Sequence, residues 1–399
     1  MKNLTSLRIL LLICLLGALI CAFYSCQNGS EKPESSLPQN QDQMETEKLI
    51  IGTYTGDGPD KSKGIYMVTR NVKTGELSLD SLLARIENPT FQAVSPDGKY
   101  VYSVSETSDK GGSVYSYEIQ PDQSLKKINE QPSLGKSACH VAVNQDQSML
   151  FVANYSSGVF TVYHLNDDGA ISEPVQHYEY EGSGPHPNQK SSHPHQTTIS
   201  PDQKYVYVAD LGTDEIHMYS IDPDNKKLVD LNPASFKLPP GSGPRHMTFH
   251  PDKPLAYVIN ELGNTIQAMQ YNEETGELTG IDLYPTLPDD FEGESYCADI
   301  HISPDGKYLY GSNRGHNSLV IFRIDPEDGR LERVGFTSVH GDWPRNFFIS
   351  PDGEFVYVGN QRSGNISSYS RDVETGELSL IDSAFSDTFS PVCITEVEL

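Results

Sequence analysis

The sequence predicts an all-β chain assembled from one repeated unit, and three observations carry that prediction. Helix-period apolar runs are absent after roughly the first 25 residues. Turn formers and strand aromatics are abundant, with 32 glycines, 26 prolines and 22 tyrosines in 399 residues. A turn motif of the type Ser-Pro-Asp-Gly recurs at Ser95, Asn144, Ser200, His250, Ser303 and Ser350, at intervals of 47 to 56 residues. That period belongs to four-stranded blades rather than to helical repeats.

Each element of the unit is legible around these anchors. In the stretch GPRHMTFHPDKPLAYVINELGN, Gly243 to Asn264, a short alternating strand leads into the turn and a second strand leaves it. Paired antiparallel, the two strands bring Arg245 and His246 to the same edge as Asn260 and Glu261. Elsewhere the second strands read YVYSVSE, MLFVANY, KYVYVAD, KYLYGSN and FVYVGNQ. Third strands such as SVYSYEI and LVIFRID follow, then an acidic-glycine turn and fourth strands such as ELTGIDL and RLERVGF. Six such meanders are complete. Residues 49 to 83 hold only a second, third and fourth strand (LIIGTYTG, GIYMVTRN, ELSLDSLL), while the C-terminus offers a lone first strand, SPVCITEVEL. Joined, they make a seventh blade from both ends of the chain, which closes a ring and removes its open edges. The expectation is a seven-bladed β-propeller over residues 49–399, four antiparallel strands per blade, with Asp97, Asp202, Asp252, Asp305 and Asp352 as turn residues that bond their own backbone.

The N-terminus is read separately. Lys2 and Arg8 precede the run ILLLICLLGALICAF, short for a membrane span but suited to the apolar part of an export signal. Tyr24-Ser25-Cys26 and the polar stretch QNGSEKPESSLPQNQDQ follow it. Residues 1–25 are expected to be a signal that resembles a bacterial lipoprotein type, with Cys26 the lipid attachment residue and 26–48 a flexible tether; a simple anchor helix is the other reading. The domain is then exported and lipid-anchored, on the periplasmic or cell-surface side. Three cysteines remain, Cys139, Cys297 and Cys393, near the starts of first strands in different repeats, so no disulfide is expected. The formal charge of −26 excludes nucleic acid as a natural partner and leaves the lipid anchor as the only link to a membrane. It also makes clustered arginines worth explaining. A monomer is expected, since no exposed apolar stripe is legible.

In a propeller the first strand of each blade lies nearest the axis, so residues at its start ring one channel mouth. Five residues before the turn anchors stand Cys139, His195, Arg245, Ala298 and Arg345, and the second strands end at Glu106, Asn154, Asp210, Glu261, Arg314 and Gln361. His193 and His195 alternate onto one side of a starting strand. With no third ligand spaced nearby, the pair reads as a general base or a structural histidine ahead of a metal site, and no metal or cofactor is expected. Arg245 with Glu261 alone would be a hairpin staple. Arg314 in SNRGHNS and Arg345 in DWPRNF, aimed at the same mouth, make an anionic group or a developing oxyanion the stronger reading. Trp343, the single tryptophan, adjoins Arg345 and forms either a wall of the site or packing between blades.

The order SHPHQ, then GPRHMTFHPD with NELGNT, then SNRGHNS, then WPRNFFISPDG with GNQ resembles the bacterial propeller-type 6-phosphogluconolactonases and the related fungal carboxy-cis,cis-muconate cyclase. The resemblance runs from about Leu49 to the C-terminus. It implies an active site of a histidine, two arginines and a glutamate, which fall on His195, Arg245, Glu261 and Arg314 here. It implies a metal-independent lactonase that opens 6-phosphogluconolactone or a related aldonolactone, with His195 or Glu261 as base; the reading of the channel mouth adds His193, His246, Arg345, Asn313 and Gln361 as substrate-binding candidates. The partner expected is therefore a small anionic or sugar lactone. A lactone isomerase of the muconate-cyclase kind would use the same four residues, and a non-catalytic surface propeller that binds glycans or proteins would need none of them together.

Overall fold

The computed structural model describes residues 46–57, 61–386 and 390–397, all within one compact unit, residues 44–399. The expected signal, Cys26 and the tether up to residue 45 lie outside the described residues. Seven four-stranded antiparallel sheets follow one another along the chain. The first blade pairs the last strand, Pro391–Val397, with Thr46–Thr53, followed by Gly64–Asn71 and Leu77–Arg85, so both ends of the chain share it. Blades two to seven open on the inner strands Gln92–Val94, Ala138–Val143, Pro194–Ile199, Pro244–Phe249, Tyr296–Ile302 and Pro344–Ile349. Each inner strand contacts those of both neighbouring blades, which completes the ring.

The turn aspartates explain the sharp return from first to second strand. Asp97, Asp202, Asp305 and Asp352 each accept a hydrogen bond from the serine hydroxyl two residues earlier and from the backbone N–H two residues later. The core lies between blades rather than within them. Tyr257 and Ile259 of blade five, for instance, pack on Leu309 and Val320 of blade six, and comparable clusters fill the other six interfaces. A period-2 strand buried on both faces explains the unbroken apolar second strands. Tyr207, Tyr257 and Tyr310 cross these interfaces, and their hydroxyls donate to the carbonyls of Gly276, Gly329 and Gly376 in the following blade. Gly276 sits at φ +75° with a Cβ position only 2.5 Å from the Tyr205 ring, so no other residue fits that turn.

Candidate active site

Two structural devices aim side chains at one end of the central channel. On the inner strands, pairing with the second strand skips one residue in each of five blades: Cys139, His195, Arg245 and Arg345, which reach the channel mouth, and Val392, which is buried elsewhere. A β-bulge of this kind leaves the extra residue unpaired and turns its side chain out of the ladder. On the second strands, Asn154, Asp210, Asn260, Asn313 and Asn360, each paired with the first residue of the third strand, are fully buried. The position just beyond carries Tyr155, Glu261 and Arg314, with Tyr54 and Glu106 at the same place in the first two blades. These two sets together line a cavity of about 200 Å³: Tyr54, Glu106, Cys139, Tyr155, His195, Arg245, Glu261, Arg314 and Arg345.

Glu261 organises two of the arginines. Its Oε2 lies 3.0 Å from Arg245 Nε and 2.7 Å from Arg314 Nη2. The Arg245 contact is an ion pair without hydrogen-bond alignment. Backbone carbonyls fix the rest. Arg245 Nη1 donates to Ala298 O at 2.7 Å, and Arg314 donates through Nε to Tyr296 O and through Nη2 to Cys297 O. Arg245 Nη2 and Arg314 Nη1 make no hydrogen bond with any described residue, so each guanidinium keeps one donor group for a ligand. Arg345 differs. Its Cζ lies 5.2 Å from the Tyr54 ring centroid, it forms no ion pair or hydrogen bond with a described residue, and Tyr54 donates its hydroxyl to Glu106 at 2.9 Å.

Burial and mutual charge tune these groups. Burial pushes the His195 imidazole well below its ordinary value, and the Arg245, His246, Arg345 and Arg314 side chains add to the effect. His195 is therefore neutral at pH 7; its Nδ1 is enclosed without a partner, and its ring meets Tyr155 edge-on. Burial raises the Glu261 carboxyl, but Arg314, Arg245 and Arg345 outweigh it and hold it below the usual carboxylate range. Burial, with Arg314 and Arg345, pushes Arg245 down to about 9, still a cation at neutral pH. The Cys139 thiol is pushed up to about 12 by burial, which keeps it protonated and no nucleophile.

A match to the family described as "Lactonase, 7-bladed beta-propeller" spans residues 48–396. The chain belongs to this lactonase family. It is 36% identical over 298 residues to the 6-phosphogluconolactonase of Bacillus subtilis, covering 74% of this chain and 83% of that one. It is likewise 36% identical over 306 residues to the 6-phosphogluconolactonase of Formosa agariphila, covering 75% and 85%. The solved periplasmic gluconolactonase of Pseudomonas aeruginosa superposes with a TM-score of 0.84 at 32% identity, over 89% of this chain and 99% of that one.

Within this lactonase the geometry sorts the sequence candidates. His195, Arg245, Glu261, Arg314 and Arg345 meet in the cavity. His193, His246, Asn313 and Gln361 are not among its lining residues. His193 stacks on Tyr155 and bonds its carbonyl, because pairing at Pro194 places it outside the bulge. His246 lies behind Arg245 and His195, with its Nε2 3.2 Å from Arg245 Nη1 and its Nδ1 turned to Asp299. Asn313 is fully buried and donates to Thr286 O and Ser318 Oγ, as a blade staple does. Asn154 and Asp210 are equally internal, the former bonded to Ser133 O and Val159 O, the latter to Ser192 and the His193 and Gly212 amides. Tyr54 and Tyr155 were missed, although both stand directly after the apolar run of a second strand, the place that Glu261 holds in its blade. Among the described residues no three His, Cys, Asp or Glu side chains are grouped to hold a metal ion.

Proposed function

We propose that this lactonase hydrolyses an uncharged aldonolactone to the open hydroxy acid, with His195 as the general base. The observation that carries the reading is the shared Glu261 clamp, which commits most of both guanidinium groups and leaves one donor of Arg245 and one of Arg314 beside a neutral histidine. In this mechanism a water gives its proton to His195 and attacks the lactone carbonyl. The new oxyanion takes the free donors of Arg245 and Arg314, a type of contact whose loss typically lowers turnover ~100- to 1,000-fold. As the acyl C–O bond breaks, the imidazolium returns the proton to the departing ring oxygen. Glu261 is the weaker candidate base, since its Oε2 is held by two arginines and its affinity for a proton is reduced.

Charge supports the neutral substrate. Three arginines against two glutamates leave the cavity one positive charge, which a single oxyanion neutralises. A phosphate monoester would bring about −1.5 to −2 more, next to the Glu106 carboxylate that shares the Arg345 side of the cavity. Arg345, Tyr54 and Glu106 instead suit hydroxyl groups, as donor and acceptors in turn. The test is hydrolysis of glucono-δ-lactone and of its 6-phosphate, corrected for spontaneous opening. The unphosphorylated lactone is expected to show the higher kcat/KM, His195→Ala to lose ~100- to 10,000-fold, and Glu261→Gln to lose turnover while the pH profile of His195 persists. Rates equal to buffer would remove the hydrolase reading; preference for the phosphate would remove the substrate choice alone.

A further inference from the structure

Behind Arg245 lies a carboxylate that the proposed chemistry does not use. Asp299, in the inner strand of blade six, is 2% exposed and accepts five hydrogen bonds. Oδ1 takes His246 Nδ1 at 2.7 Å and the Ile300 amide at 3.0 Å. Oδ2 takes His301 Nε2 at 3.0 Å, Asn346 Nδ2 at 2.6 Å and the Phe347 amide at 3.1 Å. With every lone pair occupied by a donor, Asp299 remains an acceptor only. The ring proton of His246 must then sit on Nδ1. This leaves the Nε2 lone pair facing Arg245 Nη1, 3.2 Å away. Burial and the Arg245 charge lower His246 to about 4, which keeps the ring neutral and the lone pair available.

We infer that Asp299 is a positioning residue for Arg245: it fixes the His246 tautomer, and His246 in turn holds the Nη1 edge of the guanidinium so that Nη2 stays turned to the cavity. The inference rests on the proposed role of Arg245 at the oxyanion. A plain blade staple makes a different demand. Asp299 does join blades five, six and seven, and Asn346 carries the chain of bonds on to the Ile394 amide of blade one. A residue that only stapled blades would cost stability whatever stood at position 245. One that acts through Arg245 costs turnover only while Arg245 is present.

Asp299→Asn reverses a donor and an acceptor: the amide turned to His246 drives its proton to Nε2, against the Arg245 cation. The decisive experiment is a double-mutant cycle of D299N and R245A on glucono-δ-lactone, with folding checked by thermal melting. D299N is expected to lower kcat about tenfold or more in the wild-type background with KM little changed, and less than about twofold beside R245A. Equal losses in both backgrounds overturn the inference. If D299N fails to fold, His246→Gln, whose amide both donates to Asp299 and accepts from Arg245, is expected to retain most of the kcat that His246→Leu loses; equal loss overturns the inference. A measurement independent of activity closes the test. In nitrogen-15 spectra of histidine-labelled protein, His246, assigned by the signal that H246Q removes, is expected as the Nδ1–H tautomer. An Nε2–H tautomer overturns the inference even if no lactone is hydrolysed, whereas the expected tautomer with an inactive wild type would remove only the proposed reaction.

Discussion

At His195, burial and three arginines press in the same direction, against the imidazolium. The acid limb of kcat/KM is therefore expected well below pH 6.5, because the base stays free of a proton until far into the acid range. The surroundings set the sign. Burial is the largest cause; His246, 5.1 Å away, and the protonated Tyr155 and Cys139 carry no charge at neutral pH, so the arginines supply the charge that adds to it. Arg345→Gln removes the one cavity arginine without an ion pair to a described residue and is expected to move the limb upward toward 6.5, whatever it does to substrate affinity. A wild-type limb at or above 6.5, unmoved in the variant, would remove His195 as the base. At this scale the sequence reads well where a residue's position depends on the repeat, as for Arg245 and Glu261. It reads poorly where one step along a strand decides. Asn313 and Arg314 are neighbours, yet one is a fully buried staple and the other faces the cavity. Asp299 was invisible for the same reason, since counting five residues back from Ser303 lands on Ala298.

Strands and loops supply the aim that single residues lack. Pro194, Pro244, Pro344 and Pro391 each precede a bulged residue, and proline suits that place because it has no N–H to give the ladder. Those prolines are the sequence signal from which four of the bulges were predictable; the one at Cys139 follows Ala138 and carries no such mark. The loop before Arg345 adds a second device. Trp343 adopts φ +71°, costly for a non-glycine residue, and Asn317 holds it by accepting its amide while donating to Asp342. Its ring then lies with Arg314 Cζ 5.3 Å and Arg362 Cζ 3.3 Å from the centroid. Trp343 is not among the residues that line the cavity and backs Arg314 from outside it, a packing role. As the only tryptophan it reports on that arginine. Titration with gluconate, the product of the proposed reaction, is expected to change its emission saturably, and Arg314→Gln to abolish the change. A response undiminished in R314Q would place the product away from Arg314.

At the scale of the whole ring, the fold was legible because every blade repeats one turn and because the odd strands at the two ends add up to the missing blade. The inter-blade ties were not legible, since they join residues far apart in sequence at no fixed spacing. Arg371 of blade seven reaches Asp305 of blade six at 3.0 Å and also bonds Tyr310 Oη and Gly353 O. Arg70 of blade one reaches Asp352 of blade seven at 3.1 Å in the same way, with Glu47 at 2.6 Å as a second partner. Asp305 and Asp352 thus serve twice, within their own turn and across to the next blade. The Arg70 tie crosses the seam where the chain's two ends meet, while the Arg371 tie crosses an interior interface. If the ring is closed by packing alone, a seam should be as demanding as any other interface. Both guanidinium groups are almost fully buried, whereas their aspartates keep about a third of their exposure. The loss should then fall below the ~3–5 kcal/mol of a fully buried pair, at about 2 kcal/mol for either Arg70→Ala or Arg371→Ala. Urea unfolding is expected to give similar losses for the two variants, with kcat of the folded protein unchanged. A costly R371A beside a neutral R70A would show that the terminal seam is open in solution and that the inner strands, rather than the ties between blades, keep the ring together.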